Sequence, residues 1–168
     1  FLDCTFNQEK YNDNLFIDNS ELDGAPVVIE RNPSYANLFG SIEYRMQGNI
    51  VSADHLSLQP GSVHRARGGY LILEIEEILG DLAAWNALKK VLRYGVVRIE
   101  NIIDHNSIYN NIQIRPDQLH LNLKVILTGD PLFFTTLYNN DDEFVRVFKV
   151  KAEFVEHIKK TEQVVNSF

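Results

Sequence analysis

Gly68-Gly69-Tyr70-Leu71-Ile72-Leu73-Glu74-Ile75 decides the reading of this chain. Four apolar residues follow a glycine pair and end on a carboxylate. An unbroken apolar run of this length suits a strand buried on both faces, as in a parallel sheet. Working outward, Leu123-Lys124-Val125-Ile126-Leu127-Thr128 has the same character and is closed by Gly129-Asp130-Pro131. Pro131 fits the first turn of a helix running to about Tyr138. Between these two strands lies the clearest helix, Asp81 to Tyr94. Asp81 suits the N-cap, and Leu82, Trp85, Leu88 and Leu92 recur as one apolar stripe. Lys89, Lys90 and Arg93 fall in the last turns, where cations complement the helix dipole, and Gly95 marks the stop.

On the N-terminal side, Pro26 to Ile29 reads as a strand. Asn32-Pro33-Ser34 is turn chemistry, and Tyr35 to Phe39 forms a helical turn that ends at Gly40. Ser41 to Arg45 alternates like a strand, and Met46 to Pro60 is a long loop or hairpin. Val96 to Glu100 and Ile112 to Arg115 pattern as a hairpin. Further predicted elements are a short helix over Asp142 to Val147, a strand over Phe148 to Val150 and a helix over Glu153 to Val165. Strands alternating with helices predict an α/β layered domain with a mainly parallel sheet.

Composition narrows the function. The 168 residues are 45% hydrophobic and 23% charged, which excludes a disordered tail, a collagen-like rod and a small disulfide scaffold. Sixteen Lys and Arg against 23 Asp and Glu give a net charge of −7, which disfavours a nucleic-acid binder. The lone Cys4 cannot form an internal disulfide and fits a reducing, cytoplasmic setting. No apolar run approaches the ~20 residues a membrane span needs, and no signal peptide is expected. The chain opens at Phe1 without Met, so we read it as part of something longer.

No complete catalytic set stands in the sequence. There is no phosphate-binding G-x-x-x-x-G-K-[ST] loop, no dinucleotide glycine motif, no nucleophile elbow and no zinc spacing among the histidines. One partial pattern remains. A strand ending in an acid, Leu71-Ile72-Leu73-Glu74, has the form of a Walker B strand, which projects a carboxylate toward nucleotide-bound Mg²⁺. The next residue, Ile75, cannot polarise water. Glu76 and Glu77 follow, with directions the sequence does not give. The same pattern also suits a core strand leading into an acidic helix start.

Several ordered blocks carry a more specific resemblance. They are Gly24-Ala25-Pro26-Val27-Val28, Arg31 to Tyr44, Pro60 to Leu71, Trp85-Asn86-Ala87-Leu88-Lys89 and Phe148 to Phe154. Together they resemble the AAA+ module of Lon-like ATP-dependent proteases, in the LonB/LonC-related branch. The resemblance implies an incomplete AAA+ P-loop-type three-layer domain lacking the Walker A segment. Residues 1–25 would be an entry segment, 26–152 the partial α/β core and 153–168 the start of the helical lid. It further implies a parent with a serine protease domain carrying a Ser–Lys dyad, acting as a homo-oligomeric ring, a hexamer, on unfolded proteins. ATP and Mg²⁺ would serve the parent, with none expected for this chain alone. No membrane partner is expected.

By the same resemblance, Glu74 falls at the metal-associated acid and Ile75 at the catalytic Glu. Asp130 falls at the sensor position, where its charge would repel a γ-phosphate. Arg146 lies near the arginine finger and equally suits a solvated helix face. Tyr44 and Met46 lie at the pore loop, where a flexible Met suits gripping many sequences, while Tyr44 also suits core packing. His64-Arg65-Ala66-Arg67 is a local basic cluster that suits a subunit contact, a phosphate or a solvated turn. Two functions follow: an ATP-driven protease motor, or a degenerate non-hydrolysing scaffold that gates a peptidase chamber.

Overall fold

A computed structural model describes residues 15–43, 45–47, 50–52, 57–99 and 117–154. At its centre is a three-stranded parallel sheet of β1 (Val27–Glu30), β6 (Tyr70–Glu74) and β9 (Lys124–Thr128), in the order β1-β6-β9. The register sets Val28 beside Leu71 and Leu71 beside Val125, with Ile29, Ile72 and Ile126 in the next row. β6 is therefore the middle strand, flanked on both sides by parallel neighbours.

Between β1 and β6 run α1 (Tyr35–Phe39), β2 (Ser41–Ile42), β3 (Arg45–Gln47), β4 (Ile50–Ser52), β5 (Leu58–Gln59) and α2 (Ser62–Arg65). β2 pairs antiparallel with β5, and β3 with β4. The stretch 46–60, expected as a long loop or hairpin, thus takes part in the antiparallel β3–β4 pair and supplies the return strand β5. Between β6 and β9 lie α3 (Ile75–Leu79), α4 (Leu82–Tyr94), β7 (Val96–Val97) and β8 (Leu119–His120). The described partner of Val96 and Val97 is Leu119–His120. The expected strand 112–115 lies outside the described residues. α5 (Pro131–Asn140) and α6 (Asp142–Val147) follow β9. Residues 148–150 form no strand, and the expected helix over 153–165 lies almost wholly outside the described residues.

The helix ends follow local chemistry. Asp81 Oδ1 accepts from the N–H groups of Ala83 and Ala84, and Gly95 closes α4 in the left-handed region. Asp130 caps α5 through the Leu132 N–H, with Pro131 in the first turn. Gly69 packs directly against the Pro26 carbonyl, where any side chain would collide, so the β1–β6 entry requires glycine.

The core lies on one face of the sheet. Leu71 and Leu73 meet Leu38, Phe39, Val63, Ile78, Trp85, Leu88 and Phe144, with Val28, Val125 and Leu127 partly buried beside them. The opposite face carries Val27 and Ile29 at 60% and 65% exposure and Ile126 at 44%. The expectation that β6 is covered on both faces is corrected: Tyr70 and Ile72 are half-buried, because the described helices all pack on the Leu71–Leu73 side. Leu82 is also exposed, and the inward stripe of α4 runs instead through Ala84, Trp85, Leu88, Lys89 and Val91.

Candidate functional site

The carboxyl ends of parallel strands are where α/β sheets gather ligand-binding groups. Here that edge brings together Glu30, Glu74 and Thr128, followed by Gly129 and Asp130. Glu74 ends β6 opposite Thr128 and is exposed, with its backbone still extended at the entry to α3. The Thr128 hydroxyl donates to the Leu73 carbonyl at 3.3 Å, tying the ends of β6 and β9 together.

Ile75 turns inward and is buried, as an aliphatic side chain at a helix start under a sheet must be. Glu76 turns the other way. Its Oε1 accepts from the Asp130 N–H at 3.2 Å, so this acid bridges the start of α3 to the turn after β9. Gly129 lies against Ile75 and Glu76 with φ +156°, leaving no room there for a side chain. Sequence spacing left the direction of Glu76 open. Only the fold places it at this turn.

Asp130 is spent locally: its Oδ1 accepts from the Leu132 N–H at 2.7 Å. Its negative oxygen thus faces the amino end of α5, which offsets part of its charge.

The basic cluster 64–67 divides on folding. His64 is buried at 1% exposure, and its Nδ1 accepts from the Gly61 N–H at 3.2 Å. Its Nε2 has no partner, and the Phe16 ring stands edge-on at 5.3 Å. Burial pushes its pKa down to about 4, so the ring is neutral and carries no phosphate-binding charge at neutral pH. Arg65 Nη2 reaches Glu30 Oε2 at 3.4 Å and the Ser62 hydroxyl at 2.9 Å, and that hydroxyl also donates to Glu30. Arg67 is exposed. The segment is a strap from α2 to the end of β1, with the exposed Arg67 beyond it.

Arg146 sits in the last turn of α6 and is exposed, separated from the β9 turn by the whole of α5. Met46 lies on β3, opposite Val51 in the β3–β4 pair. Tyr44 lies outside the described residues. The structure therefore brings Glu74 and Asp130 to one strand edge, adds Glu30, Glu76 and Thr128, and sets Met46 and Arg146 on separate elements.

Among the described residues no group of three or more His, Cys, Asp or Glu side chains could hold a metal. Glu74 fits Mg²⁺ only in the manner usual for nucleotide sites, where one or two carboxylates and several waters complete a shell supplied by phosphates.

The sequence profile of the family described as LonB-like, AAA domain matches residues 23–155. The chain belongs to this family. The order of strands and the acid ending the central one agree with an incomplete AAA+ P-loop-type α/β domain. No curated protein sequence matches the chain significantly. Among solved structures, a crystal structure of NtrX from Brucella abortus is similar at a TM-score of 0.44 and 18% identity, over 75% of this chain. The chain spans 26% of that structure's length. No helix among the described residues of this LonB-like domain is long and apolar enough to cross a membrane.

Proposed function

We propose that this LonB-like domain is the middle of the motor of an ATP-dependent, Lon-like serine protease, contributing to substrate unfolding and translocation and to ring assembly. One observation carries the reading: the central parallel strand β6 ends in the exposed acid Glu74 within a LonB-like AAA sequence. Among the described residues the outer edge of β9 is unpaired, and the face bearing Ile29, Ile72 and Ile126 is only partly covered. Both suit a further strand and helix bearing the phosphate-binding loop. In this reading residues 1–25 enter the module, 26–152 form its core and 153–168 begin the lid.

Glu74 then helps to hold Mg²⁺, which neutralises charge on the nucleotide's phosphates. Glu76 supplies the second acid that Ile75 cannot, from the first turn of α3 beside the β9 turn. Asp130 shapes the turn that faces the nucleotide rather than binding it by charge. Arg146 reaches a nucleotide on the adjacent copy in a homo-oligomeric, hexameric ring. Tyr44 and Met46 serve as pore residues that grip unfolded protein. The setting is cytoplasmic, and neither a membrane nor nucleic acid is a partner.

The burial of Ile75 favours a second reading, a non-hydrolysing scaffold that gates a peptidase chamber. Degradation of an unfolded protein by the intact assembly, with and without ATP, separates the two. Strict ATP dependence, lost in Glu74→Gln and Glu76→Gln, supports the motor. Equal degradation without ATP supports the scaffold.

A further inference from the structure

α6 is six residues long and is fastened through a single carboxylate at its start. Asp141 Oδ1 accepts from the N–H groups of Glu143 and Phe144, both at 3.0 Å. Its Oδ2 accepts from Lys89 Nζ at 2.6 Å and from the Trp85 indole N–H at 3.2 Å. Both Lys89 and Trp85 belong to α4. The Lys89 side chain is 7% exposed and its ammonium lies 5.3 Å from the Trp85 ring centre. Glu143 extends the tie, 3.7 Å from Lys89 and 3.6 Å from Arg93. Phe144 enters the core against Trp85, Phe134 and Phe148.

A buried ion pair is a poor choice if adhesion is all that is needed, because two apolar side chains would hold α4 to α6 without the desolvation cost. What the pair adds is direction. Four hydrogen bonds to one carboxylate fix both where α6 begins and how it is rotated. With Phe144 turned inward, Arg146 falls about 200° round the helix. It is exposed and forms no hydrogen bond or ion pair among the described residues.

We propose that Lys89 and Asp141 are positioning residues: they aim α6 so that Arg146 is held outward, free to meet an anionic phosphate on a neighbouring copy. This rests on the role given to Arg146 above.

The test is ATP turnover by the intact assembled protein, read as a double-mutant cycle. Asp141→Asn keeps a capping oxygen but loses the charge that binds Lys89. Lys89→Met keeps the aliphatic stem and leaves the Asp141 caps untouched. Arg146→Ala should lower turnover on the order of 10³-fold. Each positioning variant should lower it roughly tenfold to a hundredfold, as expected for a misplaced group. Neither should lower it further once Arg146 is Ala, and Lys89→Arg should retain most of the activity. Asp142→Asn, one residue along, should match the parent. If Asp141→Asn fails to assemble, Lys89→Met and Lys89→Arg decide. A fall in Arg146→Ala with no change in Lys89→Met, or with the two losses multiplying, overturns the positioning role alone. Unchanged turnover in Arg146→Ala overturns the reading of Arg146 and this inference with it.

Discussion

Asp81 carries more than its place before a helix requires. One oxygen caps α4, and the other accepts from the Tyr35 N–H at 2.9 Å, joining the starts of α1 and α4. The Ala84 N–H above all holds its carboxyl below the usual carboxylate range, with Tyr35 and Ala83 adding to this against a smaller effect of burial. Asp81→Ala should cost about 1–3 kcal/mol, more than an ordinary cap, and urea denaturation measures it. Asp141 is also held low. Burial raises it, but the Lys89 ammonium, the Phe144 N–H and the Trp85 indole together outweigh that.

These groups set the response to acid. His64 folds neutral with its pKa lowered from 6.5 to about 4, so the unfolded chain binds the extra proton first. Its contribution is complete above pH 6.5 and is lost as pH falls toward 4, amounting to about 3 kcal/mol. The depressed carboxylates of Asp81 and Asp141 contribute above their ordinary value of 3.8 and are lost only below it. Unfolding free energy measured from pH 7 to 4 should therefore decline, and in His64→Leu it should run nearly flat. A parallel decline in both proteins would remove His64 as the cause.

Among the elements, the turn joining β9 to α5 has the least freedom. Gly129 lies between Ile75 and Glu76, and the Asp130 N–H is fixed by Glu76. A methyl group there must displace the buried Ile75 side chain first and Glu76 with it, or part β9 from α3. Gly129→Ala should destabilise the chain by roughly 1–3 kcal/mol through overpacking. On the motor reading it should also reduce ATP turnover by more than the stability loss accounts for. Turnover that simply tracks the folded fraction would limit Gly129 to a packing role. In the same turn the Asp130 side chain caps the start of α5, which gives its charge a structural use.

At the scale of the whole molecule, the described residues cover the sheet mainly on one side. A parallel sheet is stable in water when both faces are buried, and fully burying an Ile is worth about 1.5–3 kcal/mol. The partly covered Ile29–Ile72–Ile126 row is therefore expected to be fully covered in the intact protein. Ile126→Lys should leave the stability of the 168-residue chain within about 0.5 kcal/mol, as for other surface changes. In the intact protein it should lower the melting temperature by several degrees. An equal, small effect in both would mean that the face stays exposed. The chain alone is expected to hydrolyse neither ATP nor peptide, and turnover of either would show that its strand edge suffices.

The sequence by itself determined what is local. Periodicity marked β6 and β9, and cap chemistry set α4 between Asp81 and Gly95, α1 before Gly40 and α5 from Pro131. These depend on residues a few positions apart. The ordered blocks from Gly24 to Phe154 gave the family. Only the tertiary structure decided which side of each element is covered. It buried Lys89 against Asp141, 52 residues away, although the sequence placed that lysine only in the last turns, where a cation suits the dipole. It drew His64 out of a basic cluster and turned Glu76 to the strand edge. It also left one face of the sheet partly open where an unbroken apolar run had implied two covered faces. The physical reason is range: backbone propensity and capping act within a turn or two, whereas burial and ion pairing depend on which distant segments the packed chain brings together.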